Sequence, residues 1–266
     1  MKNHLISLLN YIFQLIIIAG IAFIVYYFYD AYQNNQLIEE SYGDPIIIEE
    51  IGPQQPTIID IGEDQNDSEP IILPQYESLY EANSDLCGWI TIPDTGVNYP
   101  IMCTPDDPEY YLRKNYNGEY SIRGTPFIGK ESTIDNKAII IYGHMMKDHT
   151  MFGDLKYYLD EDYFNNHLNL YINTLYEERE FEVVGVFKSW VHTKNEPGYR
   201  FYHYYGNPTE EEFADYKEYL KENYIYSHDL DSLSYDDAIV QLVTCSYHRE
   251  NGRLIVVAKE KEKERS

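Results

Sequence analysis

The sequence has 266 residues, of which 45 are acidic and 20 are basic, so its formal net charge is −25 at pH 7. This charge disfavours binding to nucleic acid or to an anionic membrane surface, and it fits either an extracytoplasmic domain or a substrate with basic groups. The three cysteines are too few for a disulfide framework and lack the spacing of zinc ligands.

The N-terminal segment 5–29 has no charged residue and is long enough to cross a hydrocarbon layer of about 30 Å. A cleaved signal peptide and a buried core helix are the alternatives, but the apolar run is long for a signal peptide and no small-residue cleavage site follows it. The pattern therefore predicts a single transmembrane anchor. Lys2 precedes the span, which predicts residues 1–4 in the cytoplasm and the chain after residue 30 outside the cell.

Segment 30–74 is acidic, and prolines interrupt its short isoleucine runs, which predicts a stalk without a core of its own. Segment 75–261 alternates strand-like runs with turn signals and is predicted to be the folded domain. A short amphipathic helix is expected from about Tyr76 to Asp85, ahead of the first strand. Residues 262–266 form a charged tail.

Strand signals recur through the folded domain, in CGWITI, VNYPIMC, TPFIG, KAIIIYGH, LNLYIN, REFEVVGVFKSWV, AIVQLVTC and RLIVVAK. The segment DLKYYLDEDYFNNH is predicted to be helical. A long insertion from about His192 to Asp237 contains a second predicted helix, for which Thr209 is the N-cap and Glu212 completes a capping box. Seven or eight strands with few helices predict a mainly β fold, a β-barrel.

Cys87 and Cys103 flank the turn signal Pro93–Gly96, so they could face each other across a hairpin. Either a disulfide or two half-buried free thiols would fit this spacing. In both cases Cys245 is left unpaired, and an unpaired thiol outside a cell invites a chemical explanation.

Cys245 ends one apolar run, and Arg253 opens the next after the polar turn SYHRENG. If the two runs pair as an antiparallel hairpin, the thiol and the guanidinium lie at the same end of the sheet. Positive charge favours the reactive thiolate, and the fixed donors of arginine suit a developing oxyanion. A buried cysteine beside a surface arginine is the alternative interpretation.

A catalytic histidine is the expected third member of such a site. His144 directly follows the apolar run AIIIYG, so it lies where a strand leads into a loop, a common place for catalytic residues. His149 lies further into that loop, and His248 lies in the turn after Cys245, so both are weaker candidates.

The order of these motifs resembles the sortases of Gram-positive bacteria, which are membrane-anchored cysteine transpeptidases with an eight-stranded barrel. The family motif TLxTC corresponds to residues 241–245, with Gln241 in place of the first threonine. The helix ahead of the first strand and the helix-bearing insertion before the TC strand are most similar to class B sortases. The resemblance implies that Cys245 is the nucleophile, His144 the general acid and base, and Arg253 the oxyanion and substrate donor.

The implied reaction cleaves a C-terminal sorting motif after threonine through a Cys245 thioester and transfers the secreted protein to a peptidoglycan amine. It needs no metal or cofactor. The resemblance also suggests four substrate-binding residues, namely Leu112, Tyr199, Tyr202 and Thr244. Leu112 could instead belong to the core, and two tyrosines among 29 can fall in a suitable loop by chance.

Two rival interpretations remain. Another Cys-His enzyme is disfavoured, because the CGxCW signature of papain-like proteases and the SHGC-type motif of L,D-transpeptidases are both absent. A non-catalytic anchored extracellular β-domain would instead have an inert Cys245. Reactivity of this thiol and its requirement for activity would separate these interpretations.

Overall fold

The computed structural model describes residues 2–42, 70–130 and 132–262 and contains two compact units, 1–66 and 67–266. In the first unit, helix α1 (Lys2–Tyr42) includes a stretch, Asn10–Asp30, that is apolar enough and long enough to cross a membrane. Large apolar side chains along this stretch are exposed, as lipid contact requires. This stretch overlaps the predicted span 5–29, and a signal sequence would satisfy the same criterion.

Helix α1 continues into the segment predicted to be a stalk. The remainder of that stalk, from residue 43 to residue 69, lies outside the described residues.

The second unit is a β-barrel. Its strands are β1 (Leu86–Thr91), β2 (Asn98–Met102), β3 (Phe127–Ile128), β4 (Ala138–Tyr142), β5 (Asn169–Thr174), β6 (Glu180–Trp190), β7 (Tyr224–Ser227), β8 (Ile239–Cys245) and β9 (Gly252–Glu260). They form one sheet in the order β5-β1-β2-β3-β4-β8-β9-β6-β7, and an additional β5–β6 pairing closes it. Eight strands therefore make the closed barrel, as predicted, and the short β7 extends it as an extra strand beside β6.

Most neighbouring strands are antiparallel, but β4 and β8 run parallel in the middle of the sheet. In parallel neighbours the C-terminal ends lie at the same edge. The start of β9 reaches that edge too, because β9 is antiparallel to β8. Three chain segments therefore converge at one rim of the barrel.

The insertion between β6 and β8 packs on the outside of the barrel. Its helix α4 (Glu210–Asn223) begins with the predicted capping box, in which Thr209 and Glu212 exchange hydrogen bonds. The buried residues of α4 pack with one face of the barrel strands, in a cluster that includes Phe213, Tyr216, Leu220, Ile140, Val243 and Ile255. The outer face of the barrel is therefore covered by the insertion.

The predicted helices differ in their details. The helix before the first strand, α2, spans Pro74–Ala82 and ends before Asp85, because Asn83 turns the chain and its side-chain oxygen accepts from the Asp85 N–H at 3.0 Å. The helix predicted in DLKYYLDEDYFNNH is a 3₁₀ segment, Gly153–Leu159, followed by the short α3, Glu161–Asn166. Asp160 separates the two, because its side chain caps α3 by accepting from the Tyr163 N–H.

Cys87 lies on β1 and Cys103 directly follows β2, and both are free thiols. The β1–β2 pairing shifts between Leu86 and Gly88, so Cys87 occupies a bulge. Its sulfur lies 3.3 Å from the carbonyl oxygen of Ile101. Burial raises the pKa of Cys87, and a hydrogen bond from Cys87 lowers the pKa of Cys103.

Candidate active site

Cys245 and Arg253 are direct partners in the antiparallel β8–β9 pair. Side chains of direct partners lie on the same face of a sheet, with their Cβ atoms about 5 Å apart. Along β8, Cys245 shares its face with Val243, and Val243 belongs to the cluster under the insertion. Both the thiol and the guanidinium therefore lie on the outer face of the barrel, at its rim.

His144 reaches the same rim from the neighbouring strand. Tyr142 pairs with Val243 in the parallel β4–β8 register, and the N–H of Gly143 donates to the carbonyl of Val243 at 3.1 Å. Continued by two further residues, this register places His144 level with Cys245. The sequence predicted that His144, Cys245 and Arg253 act together. Cys245 and Arg253 lie on β8 and β9, and His144 follows the end of β4, the other neighbour of β8.

The imidazole of His144 is held by the backbone. Its Nε2 lies 2.8 Å from the carbonyl oxygen of Leu112. A carbonyl oxygen can only accept, so Nε2 carries a proton and Nδ1 is the nitrogen that can exchange one. Burial lowers the pKa of His144, the hydrogen bond to Leu112 opposes this shift, and the charge of Arg113 adds to it.

Leu112 has a contact that its residue type does not indicate. It was predicted to bind substrate, and its carbonyl oxygen holds the imidazole of His144. The short 3₁₀ helix Tyr110–Arg113 presents this carbonyl, because the last carbonyls of a helix lack intrahelical partners. Backbone acceptors leave no mark in a sequence, so only the fold can identify this contact.

Arg253 is half-buried and contacts backbone oxygens. Its Nη1 donates to the carbonyls of Asn251 at 3.2 Å and Gly252 at 3.0 Å. Within the described ranges 2–42, 70–130 and 132–262 no carboxylate forms an ion pair with it, although the protein carries 45 acidic residues. Its remaining N–H donors are therefore open to an anionic group.

Thr244 faces away from this site. Neighbouring residues of a strand point to opposite faces, so Thr244 points into the barrel when Cys245 points out. Its side chain is only 2% exposed, and its Oγ1 has no hydrogen-bond partner in the part of the chain that the structure describes. The Thr244 side chain therefore lies on the opposite face of β8 from the Cys245 thiol.

Tyr202 lines a cavity beside β4, whereas Tyr199 packs against α4. Tyr202 lines a cavity of ≈ 290 Å³ together with Tyr142 of β4. Burial raises the pKa of Tyr142 to about 12, and the charge of Arg253 opposes that shift. Tyr199 instead stacks on Tyr219, with their ring centroids 4.7 Å apart.

The other histidines considered from sequence have local partners. His149 Nδ1 lies 2.7 Å from a carboxylate oxygen of Asp154, and its ring stacks on Tyr157. His248 is exposed and contacts the hydroxyl of Ser246 at 2.9 Å. No group of three or more His, Cys, Asp or Glu side chains that could hold a metal occurs among the described residues.

The rim thus combines a thiol, an imidazole with a free Nδ1 and a guanidinium without a carboxylate partner. A thiol and an imidazole can exchange a proton to give a nucleophilic thiolate, and the guanidinium can stabilise negative charge on an oxygen. This set is suited to acyl transfer.

Comparison with known proteins agrees with this chemistry. Residues 90–261 match the sortase domain family. The chain is 32% identical to sortase B of Listeria monocytogenes over 190 residues, which cover 70% of this chain and 73% of the relative. It is 28% identical to sortase B of Staphylococcus aureus over 195 residues, which cover 71% of this chain and 75% of the relative.

Solved structures give the same result. The crystal structure of sortase B from B. anthracis in complex with AAEK1 matches with a TM-score of 0.66 and 31% identity, covering 89% of this chain and 100% of that one. The structure of S. aureus sortase B matches with a TM-score of 0.63 and 25% identity, covering 72% of this chain and 89% of that one.

Proposed function

The chain belongs to the sortase family and is a cysteine transpeptidase homologous to class B sortases, and we propose that it cleaves a C-terminal sorting motif after threonine and joins the new carboxyl end to a peptidoglycan amine. The observation that carries this proposal is that Cys245 and Arg253 pair on β8 and β9, and that His144 follows the end of the neighbouring β4 at the same rim.

In the first half-reaction, the Cys245 thiolate attacks the threonine carbonyl and forms a carbon–sulfur bond. Arg253 donates hydrogen bonds to the oxyanion of the tetrahedral intermediate. The carbon–nitrogen bond then breaks, and protonated His144 gives its Nδ1 proton to the leaving amine. The product of this half is a thioester between Cys245 and the secreted protein.

In the second half-reaction, an amine of a peptidoglycan precursor or cross-bridge attacks the thioester. His144 accepts the proton of that amine, a new amide bond forms, and the Cys245 thiolate leaves. Each step balances in atoms and charge with these three side chains and the two substrates.

The experiment uses the full-length chain in detergent with quenched peptides that carry threonine-containing sorting motifs and an amine acceptor. Cys245→Ala should abolish cleavage, and His144→Ala should lower kcat by about 10²–10⁴, the usual contribution of general acid–base catalysis. The matched controls Cys103→Ala and His248→Ala should cleave like the wild type. A folded wild-type protein that cleaves none of a broad panel would favour a non-catalytic surface domain.

The proposed topology places residues 1–4 in the cytoplasm and the barrel outside, because Lys2 precedes the apolar stretch and no basic residue follows it until Arg113. A membrane-impermeant maleimide can test this in a background where alanine replaces Cys87, Cys103 and Cys245, the three cysteines of the chain. Tyr247→Cys, at an 80% exposed position, should react in intact cells. Asn3→Cys should react only after lysis, and the reverse pattern would reject the topology.

A further inference from the structure

Gln241 lies on the catalytic strand at the position where the sortase motif has a threonine. In β8 it shares its face with Val243 and Cys245, since alternate residues of a strand lie on one face. Its side chain is only 1% exposed. A buried amide needs hydrogen-bond partners, so the contacts of Gln241 indicate why an amide occupies this position.

The amide nitrogen of Gln241 donates to two backbone carbonyls, those of Tyr204 at 3.0 Å and Phe201 at 3.4 Å. Both acceptors are oxygens, so the group that faces them is the NH₂ and not the Oε1. A threonine has one hydroxyl proton on a shorter side chain, and it could not donate to both carbonyls. Gln241 therefore makes a contact that the family's threonine could not reproduce.

The two carbonyls belong to one turn of the insertion, the 3₁₀ helix Phe201–His203 and the residue after it. Phe201 and Tyr204 are both buried, and Tyr204 stacks on Tyr216 of α4 with the ring centroids 3.9 Å apart. Between them, Tyr202 lines the ≈ 290 Å³ cavity whose other wall includes Tyr142. The two hydrogen bonds of the Gln241 amide thus hold the turn that contributes Tyr202 to the lining of the cavity.

We propose that Gln241 is a positioning residue, which holds this turn against the catalytic strand and so sets the distance between Tyr202 and Tyr142 for binding of the substrate peptide. This inference rests on the proposed function. Gln241 acts through the turn and does not touch the reacting atoms, so its removal weakens peptide binding and leaves the chemical step intact.

The test compares the full-length wild type with Gln241→Leu and Gln241→Asn in detergent. Leucine keeps the volume without a donor, and asparagine keeps the amide on a side chain too short to reach both carbonyls. Val240→Ala is the matched control, because Val240 is buried on the same strand but points into the barrel, away from the turn. Hydrogen exchange of the backbone amides in segment 201–206 is measured beside KM and kcat.

Gln241→Leu should raise KM by about two- to tenfold, the factor that corresponds to one net hydrogen bond, with kcat within about twofold of the wild type. Exchange in segment 201–206 should accelerate, whereas Val240→Ala should leave both KM and that exchange near the wild-type values. Gln241→Asn should lie between Gln241→Leu and the wild type, and it serves as the test if the leucine variant does not fold.

A fall in kcat without a change in KM would overturn the inference, and so would unchanged exchange in segment 201–206. If the wild type cleaves no peptide, the proposed function fails first. The exchange comparison then still decides whether Gln241 fastens the turn.

Discussion

The two ends of strand β9 hold arginines in opposite ways. At its start, Arg253 faces Cys245 and donates only to backbone carbonyls among the described contacts. At its end, Glu260 accepts two hydrogen bonds from Arg179, at 2.9 and 2.6 Å. The guanidinium of Arg179 is thus neutralised within the fold, whereas that of Arg253 keeps donors for another partner.

We expect this difference to separate an arginine that stabilises the fold from one that donates to the oxyanion of the proposed reaction. A planar guanidinium paired with a carboxylate in a fork is a strong structural contact. A guanidinium without a carboxylate partner keeps its N–H donors for an oxyanion. The fold then lacks the stability that an ion pair would contribute. The comparison makes opposite predictions for the two arginines.

Of the two arginines, Arg253 should have the larger effect on activity when it is replaced by alanine. We expect kcat/KM for peptide cleavage to fall by about 10²–10³, as on removal of one oxyanion donor, while the melting temperature stays close to that of the wild type. Arg253→Lys keeps the charge but loses the fork, so its activity should be intermediate. If Arg253→Ala had a lower melting temperature and wild-type cleavage, Arg253 would stabilise the fold as Arg179 does and would not act in the reaction.

Arg179→Met should show the opposite pattern. The pair with Glu260 is only partly buried, because Glu260 is 23% exposed, so the expected loss is about 2 kcal/mol, below the roughly 3–5 kcal/mol of fully buried pairs. Thermal unfolding should then occur about 4–8 °C lower, with kcat/KM unchanged below the transition. Arg249→Met removes an exposed ion pair with Glu196 and should shift the melting temperature much less.

The third prediction concerns pH. The reactive ion pair forms when the Cys245 thiol passes its proton to a neutral His144, so activity is lost as pH falls through the pKa of His144, where the imidazole already holds a proton. Burial and Arg113 lower that pKa, so the acid limb of the kcat/KM profile should lie below the ordinary histidine value of 6.5. Arg113→Gln removes one cause of the shift and should move this limb to higher pH. An acid limb above 6.5 would contradict this assignment.

The smallest effect on activity is expected at Cys87 and Cys103, which take no part in the proposed reaction. Burial raises the pKa of Cys87 and its hydrogen bond lowers that of Cys103, so Cys103 should be alkylated several-fold faster at pH 8. Cys87→Ala removes the donor and should slow the alkylation of Cys103. Peptide mass spectrometry measures both rates, and equal rates would show that the contact has no effect on reactivity.

The sequence predicted the parts of the fold that depend on hydrophobic periodicity and on where apolar runs begin and end. Eight strands followed from apolar runs, and Cys245, His144 and Arg253 were candidates because each stands where such a run begins or ends. The alternation of a strand already implied that Thr244 and Cys245 face opposite sides, and adjacency in sequence was a poor guide there.

Other features could not be read from the sequence, because they depend on tertiary contacts. The exposed strand β7 has the burial pattern of a surface segment, and only pairing with β6 makes it a strand. The carbonyl of Leu112 and the amide of Gln241 act at long sequence separation, on His144 and on the turn at 201–204. No local pattern encodes either contact.

The topology of the rim also bears on how the site is assembled during folding. Cys245 and Arg253 belong to one hairpin, so a short loop closure brings them together. His144 joins them only through the parallel β4–β8 pairing, which connects residues roughly a hundred positions apart and is therefore the slower contact to form. In a refolding experiment, recovery of histidine-dependent turnover would thus report completion of the barrel, later than formation of the hairpin that carries the thiol.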